Sequence, residues 1–412
     1  MRHGRHQPGR RRAAMVGGVA VTVLLAALLG ITLTTMSGAA LASRQDIQPV
    51  DITFGQDAAA APTTTSAHPI PVYAYFYQWF TPSSWNRAKK DYPLAGRYDS
   101  DDMTVLEHQV QQARTAGIDG FLTSWKSTTA LNTRLDRLVR VAHANQLDLG
   151  VVYEALDFAR KPLPIATVRH DMLYLVQRWG KQLSSTYYGR PIIIWTGTDQ
   201  FSLADIASVR DALGDSAYLL AAARSVAGYE RVADLVDGEA YYWSSADPTA
   251  PSTLAKLRSM SATVHAHKGL WFAPAASAFD GTTLGGSRVI DRRGGETLVK
   301  SLDNAYASQP DAVAVISWNE WSENTYIEPG ETYGSQELKA LTDYLSARGS
   351  GIPTPLTEAD SSSGTSRSAW SGGRALLLLG GIGAVAVFWL LRQSYVRSHR
   401  GARLSESRPS TP

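Results

Sequence analysis

The sequence predicts an α/β protein whose middle part is a (β/α)8 TIM barrel. Between residues 69 and 349, short apolar segments alternate with helix-like segments, and eight such pairs follow one another. Eight strand-then-helix units in about 280 residues are typical of this barrel. A doubly wound open sheet is the alternative, but no Gly-x-Gly-x-x-Gly turn follows an early strand. The barrel is therefore favoured.

The elements of the predicted barrel follow from apolar runs and helical periodicity. Strands are predicted at 71–76, 118–124, 149–153, 191–195, 218–223, 238–242, 270–273 and 313–318. Helices are predicted at 103–116, 133–145, 165–183, 203–213, 229–235, 252–267, 296–307 and 336–347. The active site of such a barrel lies at the C-terminal ends of its strands. The residues that follow each apolar run are therefore the candidates for function.

Residues 1–42 predict a secretory signal peptide or an N-terminal anchor. Five arginines lie among the first 12 residues, an apolar region follows, and Ala40-Leu41-Ala42 has the small-x-small form of a cleavage site. The apolar region is longer than a cleaved signal usually has, so both readings stay open. Residues 43–68, rich in Ala, Thr, Ser and Pro, predict a flexible linker.

The C-terminal part of the sequence predicts a membrane anchor. A Ser/Gly-rich linker at 350–374 precedes 17 uncharged, mostly apolar residues at 375–391, the lower limit for a transmembrane helix. Five arginines in the tail at 392–412 place that tail in the cytoplasm and the barrel outside. We expect the lipid bilayer as a partner and a cell-membrane location. The protein would be single-pass, or two-pass with an uncleaved N-terminal segment.

Composition excludes several other kinds of site. The net charge of +3 comes from the two ends of the chain, so charge does not imply a nucleic-acid partner. The absence of Cys excludes disulfides and thiol nucleophiles. His265 and His267 lie two residues apart without further ligands, and no His-Glu-x-x-His occurs. We expect neither a metal nor a cofactor.

The segment 314–324 carries the strongest chemical signal. Its apolar run changes abruptly into Trp-Asn-Glu-Trp-Ser-Glu at 318–323. Two carboxylates that flank a glycosidic bond are the usual minimum for its hydrolysis. Glu320 and Glu323 are therefore the candidate catalytic residues. Taken alone, the stretch also fits a structural pair of acids that salt-bridges to an arginine.

Aromatic and polar residues follow several other strands. Sugars offer apolar faces that stack on rings, and hydroxyls that carboxylates and tyrosines bind. The predicted substrate-binding residues are Tyr77, Trp79, Trp125, Glu154, Tyr241, Tyr242, Trp318, Asn319 and Trp321. For Glu154 the alternative is an ion pair with Arg224 or Lys126.

The loop after the seventh strand contains Arg288, Arg292 and Arg293 between glycines. Three interpretations stay open for it: binding of an anionic group, orientation of the catalytic carboxylates, or a solvated loop.

Taken together, the strand ends resemble those of the endo-α-mannosidase family, glycoside hydrolase family 99. The similarity spans nearly all of residues 70–345, and the last acidic motif is the most specific part. The motifs that carry it are Tyr-Gln-Trp-Phe at 77–80, Gly-Ile-Asp-Gly at 117–120, Ser-Trp at 124–125, Tyr-Glu at 153–154, Trp-Asn-Glu-Trp-Ser-Glu at 318–323 and Ile-Glu-Pro at 327–329.

The resemblance implies a (β/α)8 barrel that cleaves within α-mannosides and retains configuration. Glu320 matches the residue that takes the proton from the sugar 2-hydroxyl, and Glu323 matches the general acid/base. Glu154 and Trp125 match sugar-binding positions near the scissile residue.

Three features depart from the family pattern. The family usually has Gly after the second acid, where this chain has Asn324, and often has Pro where this chain has Gln78. The loop after the seventh strand does not match. The α-1,3-glucanases share a Trp-Asn-x-x-x-Glu strand end, and related barrel proteins of polysaccharide gene clusters carry the motif too.

We therefore expect a membrane-anchored, extracytoplasmic glycoside hydrolase. The first hypothesis is a retaining enzyme that acts within α-mannose-containing glycans through a 1,2-anhydro sugar. An α-glucan hydrolase and a non-catalytic barrel that binds cell-wall polysaccharide are the alternatives.

Overall fold

A computed structural model describes residues 70–157 and 159–349. The predicted signal or anchor, both linkers, the transmembrane helix and the basic tail lie outside these residues. Within the described part of the chain, no helix is long and apolar enough to cross a membrane.

Eight parallel strands form a closed barrel, which confirms the predicted fold. The barrel strands are β1 (Val72–Phe76), β2 (Gly120–Trp125), β3 (Asp148–Tyr153), β4 (Ile192–Trp195), β5 (Tyr218–Ala221), β6 (Gly238–Ala240), β7 (Leu270–Ala276) and β10 (Ala312–Ile316). Strands β8 (Phe279–Asp280) and β9 (Val289–Ile290) form a short antiparallel hairpin between β7 and β10. The barrel closes where Tyr73 of β1 lies beside Ala314 of β10.

Helices follow the strands and cover the barrel. Those in the described residues are α1 (Met103–Thr115), α2 (Thr129–Ala144), α3 (Ile165–Trp179), α4 (Leu203–Leu213), α5 (Val226–Glu230), α6 (Pro251–Ala266), α7 (Glu296–Ala307) and α8 (Gln336–Gly349). Side chains cap the starts of α1, α2, α4 and α5. The Asp102 carboxylate, for example, accepts the Thr104 N–H at 2.9 Å at the start of α1.

Alternate strand residues enter two separate apolar clusters. In β1, Tyr73 and Tyr75 point into the barrel, while Val72, Ala74 and Phe76 pack with the helices. Both clusters are buried, so both faces of each strand are apolar, as is usual for parallel strands. The sequence of such a strand therefore does not indicate which residues face inward.

The Gly-Ile-Asp-Gly motif builds the N-terminal face of the barrel. Gly117 has a φ of +88°, a conformation that favours glycine. A Cβ at Gly120 would lie 2.4 Å from the Tyr73 ring, so this close approach also requires glycine. Asp119 accepts the Val72 N–H at 2.8 Å. The motif is thus structural and lies at the end of the barrel opposite the strand-end acids.

Several element limits differ from the prediction. The helix after the fifth strand is predicted at 229–235, but α5 spans Val226–Glu230, and a 3-10 turn covers Ala233–Leu235. Ser225 caps α5 by accepting the Gly228 N–H at 3.1 Å, which explains the earlier start. The β8–β9 hairpin was not predicted because strands of two residues leave no periodic pattern.

Candidate active site

The C-terminal ends of β1, β3, β6 and β10 bring five of the predicted site residues together. Tyr77, Glu154 and Tyr242 lie on the inward face beside Glu320 and Glu323; Tyr242 is half-buried and the other four are buried. Burial raises the pKa of Tyr77, and all three carboxylates raise it further, Glu320 first. The Tyr77 hydroxyl donates to the Tyr242 hydroxyl at 3.0 Å. Tyr77 is thus the centre of this group.

Glu323 is fully enclosed, with 0% of its surface exposed. Among the described residues neither of its carboxyl oxygens has a partner at hydrogen-bonding distance. Burial raises its pKa well above the ordinary value, and the neighbouring Glu320 charge raises it further. Ser244 and Tyr242 act in the opposite direction but more weakly. Burial and the Glu320 charge both favour the protonated form of Glu323.

Glu320 is the more readily ionised member of the pair. Burial raises its pKa to about 7, while the Ser322 backbone N–H and the Lys89 ammonium lower it. The Ser322 N–H donates to Oε1 at 2.9 Å. The donor and the nearby cation thus favour the ionised form of Glu320.

Glu154 accepts hydrogen bonds from the ends of two strands. The Ser124 hydroxyl donates to it at 2.9 Å, and the Thr196 hydroxyl lies at 3.5 Å. Burial raises its pKa, and these contacts together with the Lys126 and Arg160 charges lower it. The hydroxyl groups are therefore the direct contacts of Glu154, and the cations act on it through their charge.

A tight turn carries the acid pair. Asn319 fixes its start, since its side chain accepts the Tyr77 N–H at 2.8 Å and donates to the Tyr77 carbonyl at 2.9 Å. Asn324, directly after Glu323, has a φ of +59°. Glycine and asparagine adopt this left-handed conformation most readily. The departure of Asn324 from the expected Gly therefore preserves the backbone geometry.

Comparison with known families identifies the class of the protein. A family model for glycosyl hydrolase family 71 matches residues 95–346, which include Glu154 and the acid pair. The chain belongs to glycosyl hydrolase family 71. The expectation of a glycoside hydrolase is thus confirmed, and the alternative of a non-catalytic barrel is not supported.

Solved structures share the fold of this family 71 hydrolase. Two structures of the family 99 endo-α-mannosidase from Bacteroides thetaiotaomicron align with TM-scores of 0.60 and 0.59 at 19% and 17% identity. The first alignment covers 68% of this chain and 97% of that one, and the second covers 69% and 98%. A glycoside hydrolase-like protein aligns with a TM-score of 0.54 at 15% identity over 72% of this chain and 99% of its own. No curated protein matches the chain. At these identities the likeness describes the fold.

Four further predicted substrate-binding residues are buried aromatic side chains, and Trp321 among them belongs to the inward cluster with Tyr77. Trp125 and Trp318 of the hydrolase are fully buried in the cluster shared with the helices, and Tyr241 lies in the same cluster. Trp321 is fully buried too, and its ring stacks on Tyr326 with centroids 3.8 Å apart. A ring enclosed on both faces can stack on a sugar only if its neighbours move. Their contact with substrate stays a prediction.

Trp79, like Tyr242, is a predicted substrate-binding aromatic residue with exposed surface. It is half-buried, and its ring centroid lies 4.5 Å from that of Tyr77. Trp79 therefore extends the inward group toward solvent. Asn319, by contrast, is fully buried, and its side chain holds the Tyr77 backbone.

Sequence reasoning missed several polar residues that act on the site. Lys89 lies in the loop after β1, Ser244 in the loop after β6, and Thr196 directly after β4. Ile194 belongs to the inward cluster, and Thr196, two residues further on, lies on the same face. No sequence signal marks Lys89 or Ser244, because loops bring them to the acids.

The two predicted non-ligand histidines pair with different acids. His265 Nε2 lies 3.0 Å from Asp311, and His267 Nδ1 lies 3.5 Å from Asp234. Among residues 70–157 and 159–349 there is no group of acids and histidines that could hold a metal ion.

Proposed function

We propose that this hydrolase cleaves within α-mannose-containing glycans and retains configuration. Glu323 acts as general acid/base and Glu320 as the base at the sugar 2-hydroxyl. The observation that carries the proposal is the difference between the two buried acids. Burial and the Glu320 charge raise the pKa of Glu323 well above its ordinary value, while burial raises the pKa of Glu320 to about 7. Carboxyl groups whose pKa values are driven apart divide the roles of acid and base between them.

In the first step Glu320 takes the proton of the 2-hydroxyl, and O2 attacks C1. The bond between C1 and the leaving oxygen breaks, and that oxygen receives the Glu323 proton. The product is a 1,2-anhydro sugar. In the second step Glu323, now a carboxylate, takes a proton from water as the water oxygen attacks C1. The C1–O2 bond opens, and Glu320 returns its proton to O2.

This route favours a mannoside for a stereochemical reason. In an α-mannoside the axial O2 lies opposite the axial leaving group, so O2 can attack C1 from the back. In an α-glucoside O2 is equatorial and gauche to the leaving group. The same attack would then require a distortion of the ring that costs some kcal/mol of binding energy.

The rest of the inward group suits recognition of the sugar. Glu154 is placed to accept sugar hydroxyls, and the linked Tyr77 and Tyr242 hydroxyls lie beside the acids. Trp79 offers a partly exposed ring on which a sugar face can stack. We assign these four residues to binding of the sugar at or next to the scissile bond.

We also propose that the catalytic barrel is extracytoplasmic and anchored by the segment at 375–391. The support is the sequence pattern of an apolar run followed by arginines. Protease added to intact cells should remove the barrel and spare an epitope on the tail. A protected barrel would overturn this topology.

The enzymatic proposal is tested with the full-length hydrolase and a panel of α-mannans and α-glucans. Mass analysis of the products identifies the substrate, and NMR of the first-formed product identifies the anomer. We expect internal cleavage of an α-mannan with retention. Cleavage of α-glucans alone would favour the alternative of an α-glucan hydrolase. That alternative is supported by the Trp318-Asn319 strand end, which resembles that of the α-1,3-glucanases.

The role of Glu320 is tested with 2-deoxy and 2-O-methyl analogues of the cleaved substrate. Both should bind and neither should be cleaved, because O2 is the attacking atom. Turnover of either at a near-normal rate would reject the anhydro route. A glycosyl group trapped covalently on Glu320 would reject it as well.

A further inference from the structure

Arg292 is a buried arginine that contacts the segment carrying Glu323. It lies in the loop between β9 and α7, and only 3% of its surface is exposed. Its Nη2 donates to the Asn324 carbonyl at 2.8 Å, and its Nη1 donates to the Tyr326 carbonyl at 2.9 Å. One guanidinium therefore holds two carbonyls just after the candidate general acid.

The same loop region holds the carbonyls of the whole segment from Glu323 to Tyr326. The Asp280 N–H donates to the Glu323 carbonyl at 2.8 Å. The Ser277 hydroxyl donates to the Thr325 carbonyl at 2.7 Å. With the two Arg292 bonds, four consecutive carbonyls accept donors from residues that follow β7.

The guanidinium is itself held on two sides. It lies 4.2 Å above the Tyr326 ring, and Nη1 is 3.7 Å from a carboxylate oxygen of Glu337 in α8. Glu337 is as deeply buried as Arg292. A planar fork fits two carbonyls at fixed spacing, which an ammonium group does not reproduce.

These contacts matter for catalysis because of how Glu323 is oriented. Its carboxyl oxygens have no partner at hydrogen-bonding distance among the described residues. Its position is therefore set chiefly by its backbone, which the residues after β7 hold. An acid displaced by about 1 Å loses much of its effect on proton transfer.

We propose that Arg292, supported by Ser277, is a positioning residue for the general acid Glu323. This inference rests on the proposed role of Glu323. It selects one of the three interpretations of the arginine-rich loop, namely orientation of the catalytic carboxylates. Arg293, its exposed neighbour, has no such role.

The test compares two substrates that differ in their need for a proton. One is the α-mannan or α-glucan that the wild-type hydrolase cleaves, and the other is the 2,4-dinitrophenyl glycoside of the same sugar. Arg292→Lys should lower kcat/KM, which reports the first step, by about 10- to 100-fold on the polysaccharide and by less than about threefold on the dinitrophenyl glycoside. Arg293→Lys is the matched control and should change neither rate. Melting temperatures report whether each variant is folded.

Equal losses of kcat/KM on the two substrates for folded Arg292→Lys would overturn the proposal, since a purely structural role affects both alike. If that variant does not fold, Ser277→Ala removes another donor to the same segment and should show the same selective loss. Equal losses on both substrates for folded Ser277→Ala would likewise overturn it. Glu323→Gln, measured in parallel, distinguishes failure of the positioning role from failure of the proposed function. If Glu323→Gln is selective and the loop variants are not, the positioning role fails while the proposed function stands.

Discussion

The acids at the two ends of the barrel differ in what satisfies them. At the N-terminal face, Asp119, Asp237 and Asp311 each precede a strand and accept a backbone N–H of the neighbouring strand, at 2.7–2.8 Å. At the C-terminal face, Glu320 and Glu323 follow a strand. Glu320 accepts one backbone N–H, and Glu323 has no partner at hydrogen-bonding distance among the described residues.

This difference separates the aspartates that join adjacent strands from the proposed catalytic pair. An acid that accepts backbone donors ties adjacent strands together and stabilises the barrel. Burial of an acid without such donors disfavours its charged form, so its pKa rises. The three aspartates of the N-terminal face thus have backbone donors, whereas the acid pair at the C-terminal face has few donors or none among the described residues.

The largest expected effect concerns the acid pair at the C-terminal face. Glu323→Gln should lower activity on an unactivated glycan by about 10²–10⁴-fold, because the leaving oxygen loses its proton donor. The loss should be smaller on a dinitrophenyl glycoside. Steady-state kinetics with both substrates measure it. Equal losses would contradict the assignment of Glu323 as the acid.

We expect ionised Glu320 to lower the free energy of unfolding. Glu320 has a pKa of about 7 in the folded protein against an ordinary value of 4.5. The folded state therefore binds the Glu320 proton more tightly than the unfolded state does. The stability that this proton contributes is lost as pH rises from about 4.5 to about 7. Glu320→Gln should be more stable than wild type by about 3 kcal/mol at pH 8, and by much less at pH 4.5. Urea unfolding at the two pH values measures this, and a constant difference would refute it.

At the N-terminal face, in contrast, removal of an aspartate should reduce stability. Asp237 accepts the Leu219 N–H at 2.8 Å and pairs with Arg210 at 2.6 Å. Asp237→Ala should lower the free energy of unfolding by about 1–3 kcal/mol, because a backbone donor and a cation lose their acceptor. Urea unfolding measures the loss, and kcat of the folded variant should stay near wild type. A stable variant with impaired kcat would break the comparison between the two ends.

The smallest effect is expected at the turn after Glu323. Asn324→Gly keeps the left-handed backbone and should change kcat by less than about twofold. Asn324→Val, a β-branched residue at a φ of +59°, should lose about 1–3 kcal/mol of stability. Thermal melts and kinetics on both variants measure the difference. Tolerance of valine would show that this backbone geometry does not constrain the acid.

Much of the fold was predictable because parallel barrel strands are continuous apolar runs. Each predicted strand overlaps an observed one, and most limits differ by one to three residues. Because both faces of these strands are apolar, the sequence did not indicate which side chains point inward. Trp125 and Trp318 follow apolar runs just as Glu154 does, yet the structure places the two indoles in the helix-facing cluster and Glu154 beside the acid pair. With both faces apolar, no alternation in the sequence indicated the inward face.

The sequence by itself determined the barrel, the acid pair and the class of chemistry, because these depend on local patterns at strand ends. Only the tertiary structure decided how the acids are tuned and held. The burial of Glu323, the approach of Lys89 to Glu320 and the contact of Arg292 with the Asn324 carbonyl all join distant segments. Such contacts arise from how loops pack over the barrel end, and no spacing in the sequence specifies them.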